Sequence, residues 1–307
     1  MSKIFDDLNE WFSGTNRKTT KSKTPAGSGG GSQSRRSANK PITKAVKIQK
    51  TTNAIKAVNN KVPQVIVKIS GSSKGVDKAQ AHADYVGRNG EVELEDQDGN
   101  KYKGKEQQKD VLGSWKAQGM HETHNTGTKR EAFNFVFSMP KGTNPEAMKE
   151  AVKNLVREEF DGHKYVLAQH LDTDSPHVHV IVNATNDRGE RLNPRKQDLH
   201  NYRVNFVEKL REQGIVATAT RRIHQFKYRE GYRQSELHSS KRAGQGVPRK
   251  REPNKKEMKS IEQTHESISQ QYRDYTQSLT GDHRELKREI DKLVKSKSKL
   301  KDKEQGR

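Results

Sequence analysis

The chain has 307 residues, 28% hydrophobic and 32% charged, too polar for one globule of that whole length, so a folded centre with poorly ordered ends is expected. Sixty Lys and Arg against 39 Asp and Glu give a formal charge of +21. This calls for a polyanionic partner, nucleic acid first and an anionic membrane surface second. The absence of cysteine excludes disulfides and thiolate metal sites and fits a reducing cytoplasm; no apolar run approaches the ~20 residues of a membrane span, and the opening residues lack the order of a secretory signal.

In chain order, Ile4, Leu8, Trp11 and Phe12 fall at helical spacing and suggest a short docking helix. Residues 11–60 hold eleven Lys/Arg and no acid. With "TPAGSGGGSQSRRSANKP" inside them, residues 1–60 read as a disordered basic arm. Its last part, "ITKAVKIQKTTNAIKAV", is able to turn helical on a partner.

A folded domain is expected over residues 61–235. "VPQVIVKIS" (62–70) is β-branched and reads as a strand. Val76, Ala79, Ala83 and Val86 make a narrow helical stripe ended by Asn89-Gly90. "EVELEDQDGNKYKG" carries the hairpin signal Asp98-Gly99, and "QQKDVLGSWKAQG" reads as a helix. "REAFNFVFSMP" is a strand with Phe133, Phe135 and Phe137 on one face, and "NPEAMKEAVKNLVREEF" is a helix opened by an Asn cap and a proline. "KYVLAQHLD" and "HVHVIVNAT" form an antiparallel pair across "TDSP". A helix over 197–214 closes at Gly214, and "IVATATRR" (215–222) is expected to be a last strand. The order implies an α+β fold, an antiparallel sheet with helices on one face. Residues 236–307 form a basic tail with a thin apolar stripe: Ile261, Ile268, Tyr272, Tyr275 and Leu279, then Leu286, Ile290 and Leu293. It suits a helical hairpin or short coiled coil.

The stretch "HLDTDSPHVHVIVN" (170–183) carries the chemistry. Alternation along a strand puts His177 and His179 on one face and Val178, Val180 and Val182 on the other. Pairing across the turn returns His170 beside them, so three imidazoles can converge on one metal with open positions. Asp172 and Asp174 are candidates to orient the rings, and Asp172 can also accept a proton. A metal beside basic residues suits a bound phosphate. With no cysteine, the nucleophile is a metal-activated water or a tyrosine. Tyr85 lies beside the apolar stripe of its helix, between His82 and Arg88.

At these residues the sequence resembles a known family. "HLDTDSPHVHVIVN" is similar to the third motif of plasmid-mobilisation relaxases, His-x-Asp-x-x-x-Pro-His-x-His-x-x-x-Asn, at every defined position. "HADYVGRNG" resembles the first motif, which carries the nicking tyrosine. The group includes the border nuclease of tumour-inducing plasmids, and the resemblance covers roughly 62–225. It implies the HUH fold, a central antiparallel sheet of about five strands, and strand-specific transesterification of single-stranded DNA at a transfer origin. It implies Tyr85 as nucleophile, His170, His177 and His179 as ligands of Mg²⁺ or Mn²⁺, and Asp172 in support, with Glu131 at a strand position where the family often has an acid. It also implies accessory relaxosome proteins, a type IV secretion coupling protein, and action in the bacterial cytoplasm with passage alongside the DNA. No second tyrosine lies one turn from Tyr85, which favours a single nick and transfer over repeated rolling-circle turnover. Two other readings compete: a replication initiator or transposase of the same fold, and a non-catalytic basic binder with a structural metal. DNA contacts are expected from Arg88, Arg222, Lys227, Arg229 and Tyr228, with Tyr202, Phe206, Phe226 and Tyr232 as further stacking candidates.

Overall fold

The computed structural model describes residues 43–109, 111–118, 129–227, 236, 239–240, 242–246, 253–279 and 281–304. The expected docking helix at the N-terminus, and Tyr228, Arg229 and Tyr232, lie outside the described residues. In chain order the elements are α1 (Lys44–Asn59), β1 (Ile66–Ser73), α2 (Val76–Val86), β2 (Leu94–Asp96), β3 (Lys101–Tyr102), α3 (Lys105–Gln108), β4 (Ala132–Ser138), α4 (Pro145–Glu159), β5 (His163–His170), β6 (His177–Asn186), α5 (Lys196–Glu212), α6 (Lys255–Ser278) and α7 (Arg284–Glu304). They belong to two compact units, Lys61–Ala219 and a second that joins α1 to the residues from Thr220 onward.

The first unit is α+β. Its sheet has six strands, in the order β1-β4-β6-β5-β2-β3, and every neighbouring pair is antiparallel. One face is the main core. Phe133, Phe135 and Phe137 of β4 and Val178, Val180 and Val182 of β6 bury against α4 and α5. Phe135 packs at 5.1 Å from Phe160 and edge-on at 5.8 Å from Tyr202. The Asn144 side chain accepts from Ala147 N at 3.1 Å and starts α4, with Pro145 in its first turn. At the other edge, β2 presents Glu95, buried between Lys149 and Lys153 of α4 at 3.0 and 2.7 Å.

Helices cover both faces rather than one. Val76, Ala79, Ala83 and Val86 of α2 pack on Ala132, Val166, Ala168 and Ile181, joined by Leu112 and Trp115. The "QQKDVLGSWKAQG" helix is split. α3 stops after one turn, because the Gln108 carboxamide donates to the carbonyls of Val92 (2.6 Å) and Tyr102 (2.9 Å). A 3₁₀ turn, Gly113–Gln118, follows. The stretch 215–222 is not a strand. Thr218 makes a single parallel bridge to Gln64, and the Thr220 carbonyl that the next bridge would use accepts instead from Gln225 Nε2 at 2.6 Å.

In the second unit α1 packs against α7, and α6 joins them around Ile48, Ile55, Tyr272, Tyr275, Leu286 and Ile290. Lys56 Nζ meets Glu285 Oε1 at 2.5 Å, and Asn59 Nδ2 donates to Glu289 Oε2 at 2.7 Å. The end of the basic arm is therefore helical, and its partner is the last helix of the same chain. Phe226 is buried in this unit, so the first unit stops at Ala219, short of residue 235.

Candidate metal and tyrosine site

The pairing of β5 with β6 sets His170 directly opposite His177, with His179 one pleat further along. The three rings converge: their centroids lie 4.6 to 5.2 Å apart. One nitrogen from each falls within 4.8 Å of those of the other two. Among the described residues no other group of His, Asp or Glu meets that test.

Each ring's orientation has a physical cause. His170 Nε2 donates to the Val86 carbonyl at 2.7 Å, which leaves Nδ1 with its lone pair. His177 Nδ1 donates to the Ser175 carbonyl at 3.1 Å, which leaves Nε2. His179 Nδ1 is buried with no hydrogen-bond partner. Burial first, and then the His170 and His177 imidazoles, push the His179 pKa down to about 3. Burial also lowers His170. Neutral imidazoles with spare lone pairs at this spacing are the donor set of a divalent transition metal.

α2 brings the backbone next to Tyr85 against His170. Tyr85 is 71% exposed and immediately precedes Val86, the residue whose carbonyl holds His170. The His82 ring stacks beside it, centroid to centroid 6.0 Å. The helix ends at Gly87, after which Arg88 and Asn89 both adopt left-handed backbone (φ 50° and 52°). Gly90 completes the turn at φ 104°, where a Cβ would sit 2.3 Å from Lys105 N. That turn aims Arg88 at Asp172, and the two form an ion pair.

Residues 85–215, from this tyrosine past the histidines, match the family described as Relaxase: MobA/VirD2-like, nuclease domain. Over these residues the chain is similar to the nuclease domain of MobA/VirD2-like relaxases. It is similar to the T-DNA border endonuclease VirD2 of Rhizobium radiobacter, 28% identical over 181 residues. The match takes in 52% of this chain and spans 42% of that relative's length.

Other expected site residues land elsewhere. Backbone carbonyls, not Asp172 or Asp174, orient the His170 and His177 rings. Asp172 holds Arg88, and exposed Asp174 holds Lys141 at 3.2 Å. Glu131 is not brought to the histidines. It sits just before β4, five residues from Val136, the partner of His179, or about 16 Å of strand rise. By alternation it shares the parity of Phe133 and so the opposite face. Asn183 is also remote; it steadies the far end of β6, accepting from Thr185 N at 3.1 Å and from His163 Nδ1 at 2.7 Å. Tyr202, Phe206 and Phe226 are buried in the two cores and offer no stacking surface. Arg222 and Lys227 are exposed in the second unit, where they line a hollow with Thr264 and His265. No helix among the described residues is long and apolar enough to cross a membrane.

Sequence reasoning missed the carbonyls of Val86 and Ser175, which leave no signal in side-chain identity. It also missed Lys68, whose place beside the histidines depends on strand register rather than on any motif.

Proposed function

We propose that this protein is a site- and strand-specific relaxase that nicks single-stranded DNA at a plasmid transfer origin and stays joined to the 5′ end. What carries the reading is one connection: an exposed tyrosine adjoins the very carbonyl that fixes the first of three convergent imidazoles. His170, His177 and His179 would hold the divalent ion, Mg²⁺ or Mn²⁺; the nitrogen donors favour Mn²⁺, and Mg²⁺ suits phosphate chemistry. When bound, such an ion supplies Lewis-acid polarisation of a phosphoryl oxygen.

The chain's own residues do the rest. Tyr85 Oη loses its proton to solvent and bonds to phosphorus. The bond from phosphorus to the 3′ oxygen breaks, and that oxygen takes up a proton. One phosphodiester replaces another, so the step is reversible and needs no nucleotide triphosphate. His82 supports the phenol ring from one turn back, and Asp172 keeps Arg88 at the end of the tyrosine helix. The exposed cations Arg222 and Lys227 supply charge for the DNA backbone. A relaxase acting in the bacterial cytoplasm and passing on its DNA would require accessory relaxosome proteins and a type IV secretion coupling protein.

The test is a denaturing gel after incubation with labelled single-stranded DNA from candidate origins and Mn²⁺. The wild type is expected to give a cleaved strand and a shifted covalent adduct. Tyr85→Phe is expected to bind DNA and give neither. An adduct that survives Tyr85→Phe overturns the assignment, and a wild type that yields neither product leaves a basic binder with a structural metal.

A further inference from the structure

β1 is an edge strand, and alternation divides its side chains between two surroundings. Val65 and Val67 are buried in the main core, so Ile66, Lys68 and Ser70 stand on the histidine face. All three are exposed, Ile66 by half. The register places them in rows that run straight to the site. Lys68 pairs with Val136, and Val136 pairs with His179. Ile66 pairs with Ser138, which pairs with His177. Two strand spacings, about 10 Å, separate the backbones of Lys68 and His179, and the four-carbon stem of lysine spans much of that gap.

Charge makes Lys68 unusual in its surroundings. Arg88 is taken by Asp172, and Lys149 and Lys153 are taken by Glu95. Among the described residues Lys68 has no carboxylate partner and no hydrogen bond. It also lies outside residues 85–215, the stretch matched by the relaxase family.

We propose that the exposed face of β1 is a nucleotide subsite, where Lys68 holds the phosphate next to the one that is cleaved and Ile66 forms an apolar ledge for the adjoining base. The subsite rests on the reading of the domain as a single-stranded-DNA nuclease. An unpaired ammonium two strands from the imidazoles is placed to take a phosphate of a strand whose next phosphate lies over the histidines. A phosphate contact of this kind gives affinity and register without reading sequence.

The experiment uses the full-length protein carrying Tyr85→Phe, so that binding is read without chemistry, and a fluorescent single-stranded DNA pool of mixed sequence. Anisotropy titrations at several salt concentrations compare Lys68, Lys68→Met and Lys68→Arg. Lys68→Met is expected to need about five- to tenfold more protein for half-saturation at low salt, with a log–log salt slope shallower by about 0.7. Lys68→Arg is expected to restore both. Lys68 is also expected to be shielded from amine acetylation when the pool is bound, as read by peptide mass spectrometry. Equal affinity and slope in Lys68→Met, or acetylation unchanged by DNA, overturns the subsite whatever the nicking assay gives. If the Lys68 effects appear and wild-type Tyr85 protein forms no adduct, Lys68 remains a phosphate contact, and the nuclease reading falls together with the placing of that contact beside a cleaved phosphate.

Discussion

Glu95→Gln tests what locks α4 of the first unit to its sheet. Glu95 is 3% exposed on β2, and its carboxylate meets Lys153 Nζ at 2.7 Å and Lys149 Nζ at 3.0 Å. Removing one member of a fully buried pair costs about 3–5 kcal/mol, because the remaining charge is left without compensation. Here the lysine side chains keep 18% and 23% of their surface in water. They can swing outward, so a smaller loss of about 2 kcal/mol is expected, or roughly 4–8 °C in melting temperature for a domain of this size. The pH dependence has a definite sign. Burial alone would raise the carboxyl, but the hydrogen bonds from Lys153 and Lys149 outweigh it and hold Glu95 below its ordinary 4.5. Its contribution is therefore present in full above about 4.5 and is lost as the pH falls through the lower, folded value. Thermal melts from neutral pH into this acid range should show the gap between wild type and Glu95→Gln narrowing. A variant that melts with the wild type at neutral pH, or a gap that widens in acid, refutes the reasoning.

Two further outcomes concern the site. Mn²⁺ at about a hundred times its dissociation constant should stabilise the fold by about 2.7 kcal/mol, roughly 5–11 °C, and His179→Ala should abolish the shift; equal shifts in both proteins, read by differential scanning fluorimetry, would separate the metal from the histidine trio. Asp172→Asn frees Arg88 from an ion pair whose members are each nearly half exposed, so stability should change by less than about 1 kcal/mol. Single-stranded DNA should bind that variant several-fold tighter, with a steeper salt dependence, and anisotropy showing weaker binding would mean that Asp172 serves the DNA in another way.

The histidine trio was readable in the sequence because two rules sufficed. Alternation placed His177 and His179 together, and the short turn brought back His170. The phenylalanine face and the capped helix after it were legible for the same reason: each rests on local period and cap chemistry. What failed to show depended on groups outside each segment. The 215–222 stretch has β-branched residues, but the Thr220 carbonyl that would have continued the ladder is taken by Gln225. The proton acceptors for the imidazoles are backbone atoms, which composition cannot reveal. Glu131 lies just before the right strand and has the wrong parity. The helix at Lys44–Asn59 has a faint stripe and a basic surface, and only its contact with the final helix makes it part of a core.

That last contact has a consequence for biosynthesis. Lys56 and Glu285, which close it, are 229 positions apart. A ribosome releases the early helix long before its mate exists, and the entire intervening unit, Lys61–Ala219, can condense in the meantime. Completion of the helical unit is thus postponed until the residues up to Leu293 have been made, and the wait leaves Ile48 and Ile55 uncovered on a nascent chain whose sheet can already have formed.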